Sequence, residues 1–271
     1  MTAEHETQVN EARHQQTERL RDRERSWLAL AGLFPLSDGI NTIGSDPSNR
    51  IILANVARNA GTLNVSHLGI RIYAGQGSGM MIDGKPITQA ELKVDRSGDP
   101  TYVEIGSLIF VVIERGERPY LRVWDKNHPA RKNFHGLNFY PIDPAYCITA
   151  KFVQYENAKP IEIEDIIGTR SMIDHLGYAE FEWQGQTCRL EAIGDDEGLF
   201  FNFKDLTNGE TTYPSGRFLD APAPKDGQVI LDFNLATNPP CAYTDYATCP
   251  LPPPQNKLNV RIEAGEKKYH E

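Results

Sequence analysis

Apolar and polar residues follow two different rhythms along this chain of 271 residues. Residues 5–30 are rich in good helix formers, and no Gly or Pro interrupts them before Gly32, which predicts a helix. Its apolar side is thin until Leu20 and thickens through Trp27, Leu28 and Leu30, so the early turns are expected to be solvated or packed on a partner and the last turns to dock on the body of the protein. After that the period shortens. β-type runs recur at 40–43, 51–53, 68–73, 80–82, 91–94, 102–105, 108–114 and 120–124, with Gly, Asp or Asn between them. The run 108–113 (Leu-Ile-Phe-Val-Val-Ile) has no alternation and predicts a central strand covered on both sides. Asp83-Gly84 predicts a two-residue hairpin turn.

Residues 125–145 have proline and polar punctuation and no period, and read as a connection. A second β series follows at 146–155, 161–167, 178–183, 187–192, 199–203, 217–219, 229–233 and 258–262. Gln184-Gly185 and Asn208-Gly209 predict turns, as does the stretch 194–198 (Gly-Asp-Asp-Glu-Gly). The expected fold is mainly β: an N-terminal helix over 1–30, a β-sandwich over 31–125, and a second β unit over 126–271 that ends in a proline-rich loop.

Between Val229 and Lys267 lie six prolines, two cysteines and four asparagines. Proline fixes φ and lacks an amide donor, so this segment is expected to be a rigid irregular loop on a β scaffold, where binding residues concentrate. The formal net charge of −9 and pI near 5.3 oppose broad contact with a phosphate backbone or an anionic lipid surface, so neither nucleic acid nor membrane is expected as a partner. No apolar run reaches the length of a membrane span, and the charged N-terminus has no apolar signal core, so a cytoplasmic location is expected. Four cysteines are too few for a disulfide scaffold.

Four stretches carry a family resemblance: 27–51, 118–143, 211–222 (Thr-Thr-Tyr-Pro-Ser-Gly-Arg-Phe-Leu-Asp-Ala-Pro) and 232–267. Together they resemble the prokaryotic family known as domain of unknown function 1684, over about residues 20–267. The resemblance implies one two-part unit and brings no activity. Residues 38–114 are also similar to a forkhead-associated domain, in Gly44-Ser45, Ser66-His67, Asp83-Gly84-Lys85 and Gly106. Such domains read phosphothreonine with an arginine after the first glycine. Here that position is Ser45, so the resemblance implies a sandwich more than phosphopeptide binding.

The polar residues of the last two motifs are the candidate ligand-binding set: Tyr213, Arg217, Asn234, Asn238, Tyr243 and Lys267, with Asn256 and Glu266 beside them. Arginine offers a planar fork to a carboxylate or phosphate, asparagines orient such a group, and tyrosines cover it, so a small anionic molecule is the expected ligand. The alternative is that Arg217 and Lys267 pair with Asp232 and Glu266 to staple loops together.

Cys241 and Cys249 are too far apart for a zinc knuckle, so no metal or other cofactor is expected. They read as two packed thiols or as a thiol switch. A nucleophilic Cys241 would need a histidine (His67, His128, His135 or His175), a helix N-terminus or a cation nearby in the fold. Glu162 and Glu164 alternate on one strand face and suit solvent, and 75–79 is glycine-rich but lacks the lysine of a phosphate loop. A small anionic-ligand-binding protein is thus the leading expectation, with any catalysis hydrolytic or isomerising. A non-catalytic protein-interaction module, with the C-terminal loop as a brace, is the alternative, and a thiol redox switch the third.

Overall fold

The computed structural model describes residues 3–22, 24–195 and 197–270. Arg23, within the expected helix, and Asp196, within the expected 194–198 turn, lie outside the described residues. With 46% of residues in strands and 15% helical, the protein is mainly β. It divides into two compact units, one of residues 20–134 and one of 1–19 with 135–271.

The long helix α1 (Ala3–Asp22) is shorter than its composition suggests. Trp27, Leu28 and Ala29 form a short 3-10 turn, and the chain then enters a strand at Leu30. The apolar thickening after Leu20 therefore marks the approach to a sheet, not the end of a helix.

Among its described residues, the unit of residues 20–134 holds eleven strands: β1 (Leu30–Pro35), β2 (Gly39–Gly44), β3 (Ile51–Ile52), β4 (Gly61–Ser66), β5 (Gly69–Ala74), β6 (Met81–Ile82), β7 (Lys85–Pro86), β8 (Gln89–Leu92), β9 (Val103–Ile105), β10 (Leu108–Arg115) and β11 (Arg118–Asp125). They form a sheet in the order β1-β11-β10-β9-β6-β7 and a second in the order β3-β2-β4-β5-β8. Ile43, Leu63 and Ile72 of one sheet and Phe110, Val112 and Leu121 of the other share a single core. On β10 the intervening Val111 and Ile113 pack with Ala29, Leu30 and Trp124, so the unbroken apolar run is covered on both faces. Asp83 and Gly84 both take positive φ between Ile82 and Lys85, as a tight hairpin turn requires. A short α2 (Pro129–Lys132) closes the unit.

In the other unit, six strands form a nearly closed sheet: β12 (Cys147–Glu164), β13 (Arg170–Trp183), β14 (Gln186–Gly194), β15 (Gly198–Phe203), β16 (Arg217–Pro222) and β17 (Gln228–Asp232). The order is β16-β15-β14-β13-β12-β17, and every pair is antiparallel. The runs at 146–155 and 161–167 are one long strand, whose pairing with β13 slips between Gln154 and Lys159. Phe181, Leu190, Phe201, Phe203, Leu231 and Phe233 fill the interior.

The tail was expected to form a strand at 258–262, and its alternation is real, since Leu258, Val260 and Ile262 are all buried in that core. No ladder accompanies it. Leu258 and Leu206 amides donate to Lys204 and Val260 carbonyls, and the next carbonyls, of Ile262 and Ala264, accept from the Arg217 guanidinium. Arg217 is wholly buried and also pairs with Asp205 at 2.5 Å. Gly265 takes φ +77°, and a Cβ there would lie 2.6 Å from the Ala236 carbonyl oxygen, so only glycine lets the tail pass this close.

Replacing Arg217 with Met should cost about 3–5 kcal/mol, because Asp205 would be left as a buried charge with no counterion. Urea denaturation checks this. Arg217→Met combined with Asp205→Leu should recover part of the loss, and a cost within error for the single variant would refute the structural role given to Arg217.

Candidate functional site

The proline-rich segment bridges strands that are not neighbours. At one end the Leu251 amide donates to the Glu164 carbonyl, and the Ile166 amide to that of Cys249, which pairs the tail with the end of β12. At the other, the Lys204 amide donates to the Asn256 carbonyl, just beyond β15. The chain from 250 to 256 thus spans the positions of β13 and β14. Pro250, Pro252, Pro253 and Pro254 have no amide hydrogen, so a segment built from them crosses a sheet without orphaning backbone donors.

What pins the span is Asn256, nearly fully buried. Strands β14 and β15 pair only at Ile193–Phe200 and Gly194–Leu199, and then part. The Asn256 amide enters that gap. Its Oδ1 accepts from the Glu191 amide at 2.7 Å, and its Nδ2 donates to the Glu191 and Asn202 carbonyls at 2.9 Å each. One side chain so replaces the missing rungs of the ladder.

Beneath the span lies a narrow, partly open recess with about 30 Å³ of water-sized space. Ile163, Ile173, Ile193 and Phe200 form its apolar wall, with Pro250 and Pro253 above. His175, Glu191 and Asn202 bring polar atoms to the same lining. The Glu191 carboxylate accepts from the Tyr155 hydroxyl, 2.9 Å from each oxygen, with the Lys159 ammonium 3.9 Å away. Burial, reinforced by this carboxylate, pushes Tyr155 up to about 12, so it remains a donor at neutral pH. His175 Nδ1 lies 2.9 Å from the Ile173 carbonyl oxygen. A carbonyl only accepts, so Nδ1 carries a proton.

Asn202 Nδ2 donates to the Pro250 carbonyl at 2.8 Å, which fixes the orientation of its amide. Its Oδ1 is buried and has no protein partner.

The six residues expected to hold an anion sit elsewhere in the same unit and bond chiefly to protein. The fork nitrogens of Arg217 are engaged by Asp205, Ile262 and Ala264. Tyr213 donates to the Cys241 carbonyl at 2.8 Å. Asn234 exchanges two hydrogen bonds with the backbone of Asp143. Asn238 and Tyr243 both donate to Glu266, as does Gln16 of α1, and these donors occupy both oxygens of a fully buried carboxylate. Lys267 lies 4.6 Å from the centre of the Tyr140 ring. The staple pairs therefore differ from those expected. Asp205 takes Arg217, neutral donors take Glu266, and Asp232 takes His5 and Asn234.

Cys241 and Cys249 are adjacent, with the Cys241 amide 3.2 Å from Cys249 Sγ. A hydrogen bond from Cys249, aided by Tyr213 and opposed by burial, draws Cys241 down to about 7.

Local sequence carries little sign of the recess. Glu191 stands between Leu190 and Ala192 on an otherwise buried stretch of strand, which was the one visible anomaly. Tyr155, His175 and Asn202 look ordinary until β12 to β15 are side by side.

Taken together, a nearly closed sheet with a proline tail fastened across it by buried polar side chains defines a mainly β protein with a covered recess. A family model described as "Protein of unknown function (DUF1684)" matches residues 132–267, half of the chain, and the chain belongs to that family. A solution structure of an uncharacterised protein of Haloarcula marismortui is also similar, with 30% identity over 53% of this chain and 82% of that one, at a TM-score of 0.44. No curated protein is matched.

Asn256→Ala should leave three backbone groups unpaired at about 1–3 kcal/mol each when fully dry. Hydrogen exchange at the Glu191 amide should accelerate at least tenfold, about 1.4 kcal/mol, and unchanged protection would show that Asn256 is dispensable. For the thiols, the rate of Cys241 alkylation should rise through a midpoint near pH 7, and Cys249→Ala should move that midpoint upward. A midpoint unaffected by Cys249→Ala would contradict the assigned cause.

Proposed function

We propose that the chain is a small-ligand-binding protein, and that the ligand is a compact, mostly apolar molecule carrying one hydroxyl or amino group. The observation that carries this reading is Asn202 Oδ1. It is a buried acceptor with its amide oriented by Pro250 and no protein donor, and it belongs to a residue lining the recess. An unsatisfied buried acceptor costs about 1–3 kcal/mol, which a donor on a bound molecule would recover.

The surroundings support the same polarity. Glu191 has lone pairs beyond those facing Tyr155, and a neutral His175 ring with its proton on Nδ1 would offer Nε2 as an acceptor. Lone pairs attract donors and repel anions, so the small anionic molecule suggested by Arg217 and Lys267 is not the ligand this recess favours. Apolar walls contribute the affinity and the polar atoms the orientation, the usual division in small-molecule sites. The recess itself offers about 30 Å³, room for a single hydroxyl or amino head, so the apolar remainder of the ligand lies along its open mouth.

Hexanol and hexylamine are suitable probes, with hexanoate as the anionic control. Both donors should give saturable NMR shifts at the methyl groups of Ile163, Ile173 and Ile193, and hexanoate should bind more weakly. Ile173→Trp, which fills the space, should abolish those shifts while the rest of the spectrum stays native. Tighter binding by hexanoate, or shifts confined to other regions, would defeat the proposal.

A further inference from the structure

A second cluster in the same unit is independent of the recess. Cys147 opens β12, and Asp232 closes β17 directly opposite it in the antiparallel pair. Residues opposed in this way hold their Cβ atoms about 4.5–5.5 Å apart on one face of the sheet. Onto that pair α1 delivers His5, whose Nε2 lies 2.6 Å from Asp232 Oδ2. One ligand atom from each of the three residues lies within 4.8 Å of the others.

We propose that His5, Cys147 and Asp232 form a mononuclear zinc site with an open fourth position. The donor set is one thiolate, one imidazole and one carboxylate, the mixture that suits zinc and excludes the oxygen-seeking calcium and magnesium. Zinc bonds of about 2.0–2.3 Å in a tetrahedron place ligand atoms roughly 3.3–3.8 Å apart, within the spread of this cluster after the His5–Asp232 contact widens. Asp232 is already held for the task. Its Oδ1 accepts from the amide and the Nδ2 of Asn234, at 3.1 and 2.9 Å, which directs Oδ2 to the ion and supplies the outer hydrogen bonds that metal carboxylates need.

Access and charge also fit. Asp232 is buried, whereas His5 and Cys147 are only partly so, and water completes the coordination from the solvent side. A cysteine binds zinc as its thiolate. Binding then exchanges a proton for the metal: the S–H bond breaks, a Zn–S bond forms, and the proton leaves to solvent. Arg13 is a charged neighbour, its guanidinium held by the Asn234 and Tyr140 carbonyls and acting on Asp232. Thiolate and carboxylate together outweigh its single charge, so the site remains attractive to a dication. The ion would tie the first turns of α1 to the end pair of the sheet.

The test uses the full chain without a polyhistidine tag, stripped with chelator and titrated with Co²⁺ and then Zn²⁺. One Co²⁺ per chain should bind with a thiolate-to-metal charge-transfer band and tetrahedral d–d absorption, and Zn²⁺ should displace it and raise the melting temperature. Cys147→Ser should remove the charge-transfer band. His5→Gln, on the surface of a helix, should weaken binding at least about 100-fold, since losing outer partners alone costs about 10–100-fold. Cys241→Ser should leave both band and affinity unchanged. The proposal is overturned if no stoichiometric binding occurs at micromolar metal, or if the band survives in Cys147→Ser and disappears in Cys241→Ser. If Cys147→Ser does not fold, the His5→Gln affinity decides alone.

Discussion

The second unit depends on polar side chains that do the work of a neighbouring strand. Its C-terminal tail runs through the apolar interior, where every carbonyl needs a donor, yet it has no strand beside it over most of its length. Arg217 supplies donors to Ile262 and Ala264, and Asn256 satisfies Glu191 and Asn202. Buried charge is tolerated at Arg217 because Asp205 neutralises it and backbone carbonyls surround it. Without these two side chains, the tail would bury unpaired amides and carbonyls that packing of Leu258, Val260 and Ile262 could not offset.

From that constraint the recess follows. A strand laid between β14 and β15 would have filled the gap with its own side chains. A single amide fills only the backbone gap, and the stiff prolines above it hold no donors that would pull them down onto the sheet. Space is left between Phe200, Ile173 and the prolines, and Asn202, whose Oδ1 is buried without a protein partner, is among the residues that line it. The same economy of charge recurs at Glu266, which is saturated by neutral donors although burial pushes its pKa up. Polar groups in this unit are thus mainly structural, and among the described residues Asn202 Oδ1, Asn238 Oδ1 and Arg217 Nε are the buried side-chain atoms of this unit left without a protein partner.

The division between what is legible and what is not falls along the length scale of each cue. The unbroken run 108–113 announced a strand buried on both faces, because every position in it is apolar and a strand turns alternate residues to opposite sides. Asp83-Gly84 and Gln184-Gly185 announced their turns because both need positive φ. The strand 61–66 escaped notice since Gly61, Thr62 and Asn64 break its apolar pattern. Leu258, Val260 and Ile262 gave a true inward alternation and a false strand, as period alone is silent about what the backbone bonds to.

By itself, then, the sequence determined the mainly β character, the helix at the start, the positions of the tight turns and the rigidity of the proline tail, all properties set by residues within a few positions of one another. Only the tertiary structure decided what Arg217 and Asn256 bind, that Tyr155, His175, Glu191 and Asn202 converge, and that His5 reaches Cys147 and Asp232. Those groupings join residues up to 227 positions apart, and the pairing of strands that brings them together is fixed by the burial of the whole sheet, which no local pattern encodes.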